Sequence, residues 1–179
     1  MNTNDIKDVC KTLHLAYIAD HYEDIPFENK QQFLYDVLEH EVKTRQTTKI
    51  SRLIKKGKFR ELKWLKTYEW SDQIHLPSTT TKKKISELNF IKEHNLMLLG
   101  APGTVKTHLA TALGLKACEQ GLDVRFYRVA DLVGDLEEDL KQGTLQRLKR
   151  QIEKCDLLIL DELGYVPFQR KVKNYFFTL

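Results

Sequence analysis

The sequence predicts an α/β domain, a parallel sheet with flanking helices, preceded by an all-helical N-terminal region, and three observations carry that expectation. Short apolar runs at Leu96 to Leu99, Val124 to Arg128 and Asp156 to Leu160 alternate with helical stretches, the pattern of β-α-β units with parallel strands. The first half instead places Phe33, Leu34, Val37, Leu38 and Val42 at helical spacing, and Ile50, Leu53 and Ile54 extend the stripe. Between these textures, residues 77–84 are polar, basic and aperiodic, so they read as a linker. The expected domains are therefore a helical region over residues 1–84 and an α/β domain over 85–179.

Taken in order, the stripe from Phe33 to Ile54 predicts one long amphipathic helix, interrupted at Gly57. Phe59, Leu62 and Leu65, with Trp64 and Trp70, predict a second, shorter element, and Ile85 to Glu93 a further helical segment. Leu96 to Leu99 then reads as a strand, Thr107 to Gln120 as a helix closed by Gly121, and Val124 to Arg128 as a second strand. Asp131 to Lys141 and Leu145 to Glu153 read as paired helices before the strand Asp156 to Leu160.

Composition fits a folded chain: hydrophobic residues make up 41% and charged residues 30% of 179. No apolar run approaches the ~20 residues that span a bilayer, and the polar start Met1-Asn2-Thr3-Asn4-Asp5 has no signal core, which predicts a cytoplasmic protein without membrane contact. Cys10, Cys118 and Cys155 are too dispersed for a zinc site or disulfide framework and read as buried free thiols. His14 and His21, seven apart on an expected helix, have no partner in ligand register.

The net charge of +4 conceals a strong asymmetry. Residues 1–42 carry nine acids against three bases, whereas residues 43–66 carry ten bases against one acid. Such a basic arm, interleaved with Phe59 and Trp64, suits a phosphate backbone, and Arg52, Lys55, Lys56, Lys58, Arg60 and Lys63 are the expected DNA contacts, made without sequence readout.

Gly100-Ala101-Pro102-Gly103-Thr104-Val105-Lys106-Thr107 follows an apolar run and opens a helix, the setting of a P-loop whose backbone N–H groups cradle phosphate at a helix N-terminus. Lys106 is expected to reach the outer phosphates of ATP, and the Thr107 hydroxyl to ligate the bridging Mg²⁺. Asp161, ending an apolar strand, suits the hydration shell of that Mg²⁺, and Glu162 suits activation of the attacking water. The consensus has glycine before the lysine, where this chain has Val105. A β-branched residue at that close approach predicts backbone strain and weak or absent ATP binding.

Together these residues form longer matches: Gly100 to Ala110, Val124 to Val133 (Val-Arg-Phe-Tyr-Arg-Val-Ala-Asp-Leu-Val) and Asp156 to Pro167 (Asp-Leu-Leu-Ile-Leu-Asp-Glu-Leu-Gly-Tyr-Val-Pro). They resemble the IstB-like transposition helper ATPases, and the helix Phe33 to Val42 with its basic arm resembles that family's DNA-associated region. The resemblance implies an AAA+ fold of the initiator-type group related to DnaC. It also implies that Gly100, Gly103, Lys106 and Thr107 are Walker A residues, with Ala101, Pro102, Thr104, Val105 and His108 in the same nucleotide loop. Asp161 would be the magnesium residue and Glu162 the hydrolytic base. ATP-dependent homo-oligomers on DNA, a transposase partner and ATPase activity are implied likewise.

The family continues past Leu179 into a strand with a polar sensor, an arginine completing a neighbour's site and a small C-terminal region, so a truncated, weakly active or inactive copy is expected. A DnaC-like helicase loader and a nucleotide-independent DNA-binding fragment are the alternative readings.

Overall fold

In the computed structural model, residues 3–70, 74–92, 94–101 and 103–164 are described. The elements run α1 (Thr3–Thr12), α2 (Ala16–His21), α3 (Lys30–Gly57), α4 (Lys82–Ser86), α5 (Lys106–Glu119), β1 (Val124–Arg128), α6 (Val129–Gln142), α7 (Leu145–Glu153) and β2 (Leu157–Asp161). The long amphipathic helix, the P-loop helix and the paired helices thus fall close to the expected positions.

Three expectations are corrected. Leu96 to Leu99 forms no strand ladder among the described residues, although Leu96 and Leu98 pack on the core as a strand there would. Phe59 to Trp70 holds only a 3₁₀ turn at Leu65–Thr67, because its apolar side chains anchor an extended segment to neighbouring elements rather than lining one helix face. Of the expected helix Ile85 to Glu93, whose last residue lies outside the described residues, 85–92 do not make one helix: α4 starts earlier, capped by the Thr81 hydroxyl accepting from Lys84 N–H, and ends at Ser86, and a 3₁₀ turn follows at Asn89–Lys92. His14 also lies outside a helix, between α1 and α2, with φ 56°.

The compact units divide after Ser51, inside α3, so residues 52–84 group with the α/β part and the expected boundary near residue 84 lies within the second unit. In the first unit, Cys10, Ile18, Ala19 and Val37 form a small core ringed by Ile6, Leu15, Tyr22, Ile25 and Phe33. The buried Glu41 carboxylate accepts from the backbone N–H groups of Tyr17 (3.0 Å) and Ile18 (3.2 Å) and from Arg45 Nε (2.7 Å), and so satisfies the free donors that begin α2. Phe33 and Val37 face this core, whereas Leu34, Leu38 and Val42 of the same stripe stay exposed.

The second unit is three-layered around a parallel pair, with Val124 opposite Leu157 and Arg128 opposite Asp161. Side chains alternate across the strands. Val124, Leu157 and Ile159 face Leu109, Leu113, Ala117 and Cys118 of α5, and Tyr127, Leu158 and Leu160 face Leu132, Leu136, Leu148 and Ile152 of α6 and α7. Burial pushes the Cys118 thiol up to about 11, so it stays protonated at neutral pH, as expected of a core cysteine.

The segment after α3 is bound to this unit by Phe59. A Cβ added at Gly57 would lie 2.5 Å from the Phe59 ring, and one added at Gly114 of α5 would lie 2.7 Å from both Phe59 and Ile159. The ring therefore sits in a slot that only two glycines leave open, tilted 5.8 Å from Phe126 of β1. Lys56 pairs with Asp123, Arg125 Nη1 donates to the Lys56 carbonyl (2.7 Å), and Arg60 pairs with Asp131 at 2.6 Å. Gly114→Ala is expected to cost roughly 1–3 kcal/mol by overpacking, read from urea unfolding, and Phe59→Leu in the same chain should recover part of that loss.

Candidate functional site

The parallel register builds the site, because it brings the carboxyl ends of β1 and β2 together beside the start of α5. Thr107, in the first turn of α5, has its hydroxyl 3.1 Å from each oxygen of Asp161, and that hydroxyl donates to the carboxylate. A hydroxyl and a carboxylate so placed are hard oxygen donors of the kind Mg²⁺ takes, and Mg²⁺ needs only one or two protein oxygens when phosphate and water complete its octahedron. Among the described residues no cluster of three acidic, histidine or cysteine side chains could hold a metal by itself. The donor set therefore fits a Mg²⁺ that arrives with phosphate.

The loop is closed on itself. Lys106 Nζ donates to the carbonyls of Gly100 (2.8 Å) and Ala101 (2.7 Å) and approaches Thr104 Oγ1 at 3.1 Å, while the Thr104 hydroxyl donates to the Ala101 carbonyl at 2.7 Å. The expected loop residue Pro102 lies outside the described residues. A cavity of about 240 Å³ lies over Gly103 to His108, with Lys63 as its other lining side chain. His108 turns its ring edge-on to Tyr68, 5.2 Å between centroids, and leaves a buried Nε2 without a partner among the described residues.

Val105 takes φ 50°, ψ 20°, the left-handed region, directly before the first residue of α5. This is the conformation glycine supplies at no steric cost, and a β-branched residue there carries of the order of 1–3 kcal/mol of strain. Nearly half of the valine side chain is exposed, so packing gives little in return.

Glu162 follows Asp161 with φ 61°, and its carboxylate is engaged from both sides: Arg128 Nε donates to Oε2 (2.8 Å) and Arg128 Nη2 to Oε1 (2.6 Å). This two-pronged pair holds the Glu162 carboxyl below the usual carboxylate range, and the Arg60 guanidinium adds to the effect. A second cavity, about 170 Å³, is lined by Arg60, Glu61, Lys63, Thr107, Thr111, Phe126, Arg128, Asp161 and Glu162.

Of the expected site residues, Thr107 touches Asp161, Glu162 follows Asp161 and is held by Arg128, and Lys106 folds back on its own loop. Of the expected DNA contacts, Lys56, Arg60 and Lys63 are ion-paired within the second unit, to Asp123, Asp131 and Glu61, and Lys58 lies over the Tyr127 ring at 5.8 Å. Arg128 is the residue that sequence reading missed; its only signal was a base closing the strand that a parallel partner ending in Asp-Glu must adjoin.

A phosphate loop at the head of α5, facing a strand that ends in Asp-Glu, defines the α/β class of P-loop NTPases. Comparison with known sequences gives the family. The IstB-like ATP binding proteins match over residues 15–179, and the chain belongs to that family. It is 31% identical to a protein of insertion sequence IS5376 from Geobacillus stearothermophilus named for ATP binding, with 97% of this chain and 72% of that protein aligned. A likewise named protein of insertion sequence IS21 from Pseudomonas aeruginosa is 30% identical over 98% of this chain and 69% of its own length. The replication initiator DnaA of Campylobacter jejuni is 28% identical over 56% of this chain, which fits the initiator-type grouping.

Two outcomes test the site. Val105→Gly should raise affinity for a fluorescent ATP analogue roughly 5- to 150-fold, the equivalent of the strain removed. Arg128→Ala should return the Glu162 carboxyl toward its ordinary titration range, followed by NMR. Because the pair lowers the folded-state value, its contribution is present above the ordinary carboxylate range and fades as pH falls through the lowered one.

Proposed function

We propose that this chain is an ATP-binding helper of DNA transposition, a cytoplasmic protein that binds ATP with Mg²⁺ at the loop Gly100 to Thr107 and associates with DNA and a transposase. The observation carrying the nucleotide part is the Thr107–Asp161 contact at the head of α5: it joins the phosphate-cradling loop to the strand-end carboxylate at one point. Lys106 is the phosphate cation, Thr107 and Asp161 hold Mg²⁺, and Glu162 is the group able to accept a proton from water. The bound Mg²⁺ would neutralise charge on the outer phosphates.

Turnover in this copy is slow or absent. Two features support that reading: Val105 is strained where the loop meets phosphate, and Glu162 is engaged by Arg128 through both oxygens, so neither is free to serve without a rearrangement. Binding in place of hydrolysis is then the working role, and ATP-dependent assembly of several copies would rest on occupancy alone.

For DNA, the bases of α3 carry the proposal. Arg52 and Lys55 are exposed on its last turns, with no ion pair among the described residues, beside bases already committed to the second unit. Contact through the phosphate backbone predicts steep salt dependence and little sequence preference.

Isothermal titration of the full chain with ATP and Mg²⁺ tests the first part, and Lys106→Ala should abolish the signal. Fluorescence anisotropy with duplex DNA tests the second: affinity should fall at least tenfold between low and physiological salt, and Arg52→Ala with Lys55→Ala should weaken it. DNA affinity that is identical with and without ATP would instead favour a nucleotide-independent DNA-binding protein, a reading supported by the strain at Val105.

A further inference from the structure

The two cavities of the site share two residues, Thr107 and Lys63. Thr107 belongs there, since it lies between the phosphate loop and Asp161. Lys63 does not come from the P-loop or from either strand. It comes from the extended segment that Phe59 pins against Gly114, and among the described residues it is the one lining the loop cavity from outside Gly103 to His108. From the composition of residues 43–66 it reads as a DNA contact, yet its placement turns it toward the loop.

We infer that Lys63 is a nucleotide-binding residue, supplying a second cation, beside Lys106, to the terminal phosphate of a bound nucleoside triphosphate. Three observations support the assignment. Its side chain is about half-buried, 44% exposed, and its ammonium is held at 2.7 Å by Oε2 of Glu61, an exposed neighbour that also lines the second cavity. The wall it shares holds Arg60 and Arg128, each already paired with an acid, Asp131 and Glu162 respectively. Among the described residues Lys63 is the cation that lines both cavities, on the loop side and on the Thr107–Asp161 side, where charge beyond the second phosphate would be concentrated. Lysine on a four-carbon stem can swing from Glu61 to an incoming phosphate as a point charge, at the cost of one largely exposed ion pair.

The inference rests on the ATP-binding reading, and the experiment separates the two. Binding of ATP and of ADP, each with Mg²⁺, is measured by isothermal titration for the full chain and for Val105→Gly, with and without Lys63→Ala. Lys63→Ala should lower ATP affinity roughly tenfold or more, the loss expected of a hydrogen bond to a charged group, and change ADP affinity less than about threefold. Lys63→Arg should restore most of the ATP preference. Equal losses for ATP and ADP would mark a general disturbance of the fold and overturn the assignment. Unchanged ATP affinity, with or without weaker DNA binding, would overturn it too. If neither the natural chain nor Val105→Gly binds any nucleotide while Lys106→Ala behaves alike, the ATP-binding reading itself fails.

Discussion

The second unit depends on the Phe59 ring held between two glycines. Gly57 ends α3 and Gly114 lies mid-way along α5, and neither could carry a Cβ without meeting that ring. A glycine inside a helix sacrifices up to about 1 kcal/mol against alanine, so its presence at 114 marks a close approach that repays the loss through aromatic packing against Phe126 and Ile159. Once the ring is seated, the bases on either side of it are no longer a free arm. Lys56 and Arg60 find Asp123 and Asp131, and Lys63 lines the cavity over Gly103 to His108.

That docking changes what a run of bases means. Ten bases within residues 43–66 suggest a single electrostatic surface, but folding divides them by role. Arg52 and Lys55, on the last turns of α3, face solvent, where a polyanion can approach, whereas Lys56 and Arg60 neutralise acids of the α/β unit and Lys63 lines its cavities. The same charge therefore serves two ends of one helix boundary, and αL geometry at Lys58 (φ 58°) makes the turn between them.

The site itself is a balance between ancestry and strain. The loop, the hydroxyl and the carboxylate meet as a P-loop requires, while Val105 holds a left-handed backbone without the residue suited to it, and Glu162 sits in the same region under a clamp from Arg128. Strained backbone persists only where the surroundings over-determine it. Here the helix that follows Val105 and the strand that precedes Glu162 provide that constraint, since α5 is largely buried and β2 packs against helices on both its faces.

Much of this was legible in the sequence. Local patterns located α3, α5, α6, α7 and both strands within a few residues, because apolar spacing and helix-end residues are written locally. Gly100 to Thr107 and Asp161-Glu162 were legible because P-loop chemistry requires fixed residue types in fixed order, and the mismatch at Val105 stood out for the same reason. Tertiary structure alone decided the rest. Leu96 to Leu99 has strand composition but no ladder among the described residues, since a strand needs a partner's backbone and composition cannot supply one. Phe59 to Trp70 has helix-like spacing but is drawn out by anchors on several elements. Arg128 meets Glu162, and Lys63 comes to line the cavity over the loop, only through the parallel register and the glycine slot, both of which join residues far apart in the chain.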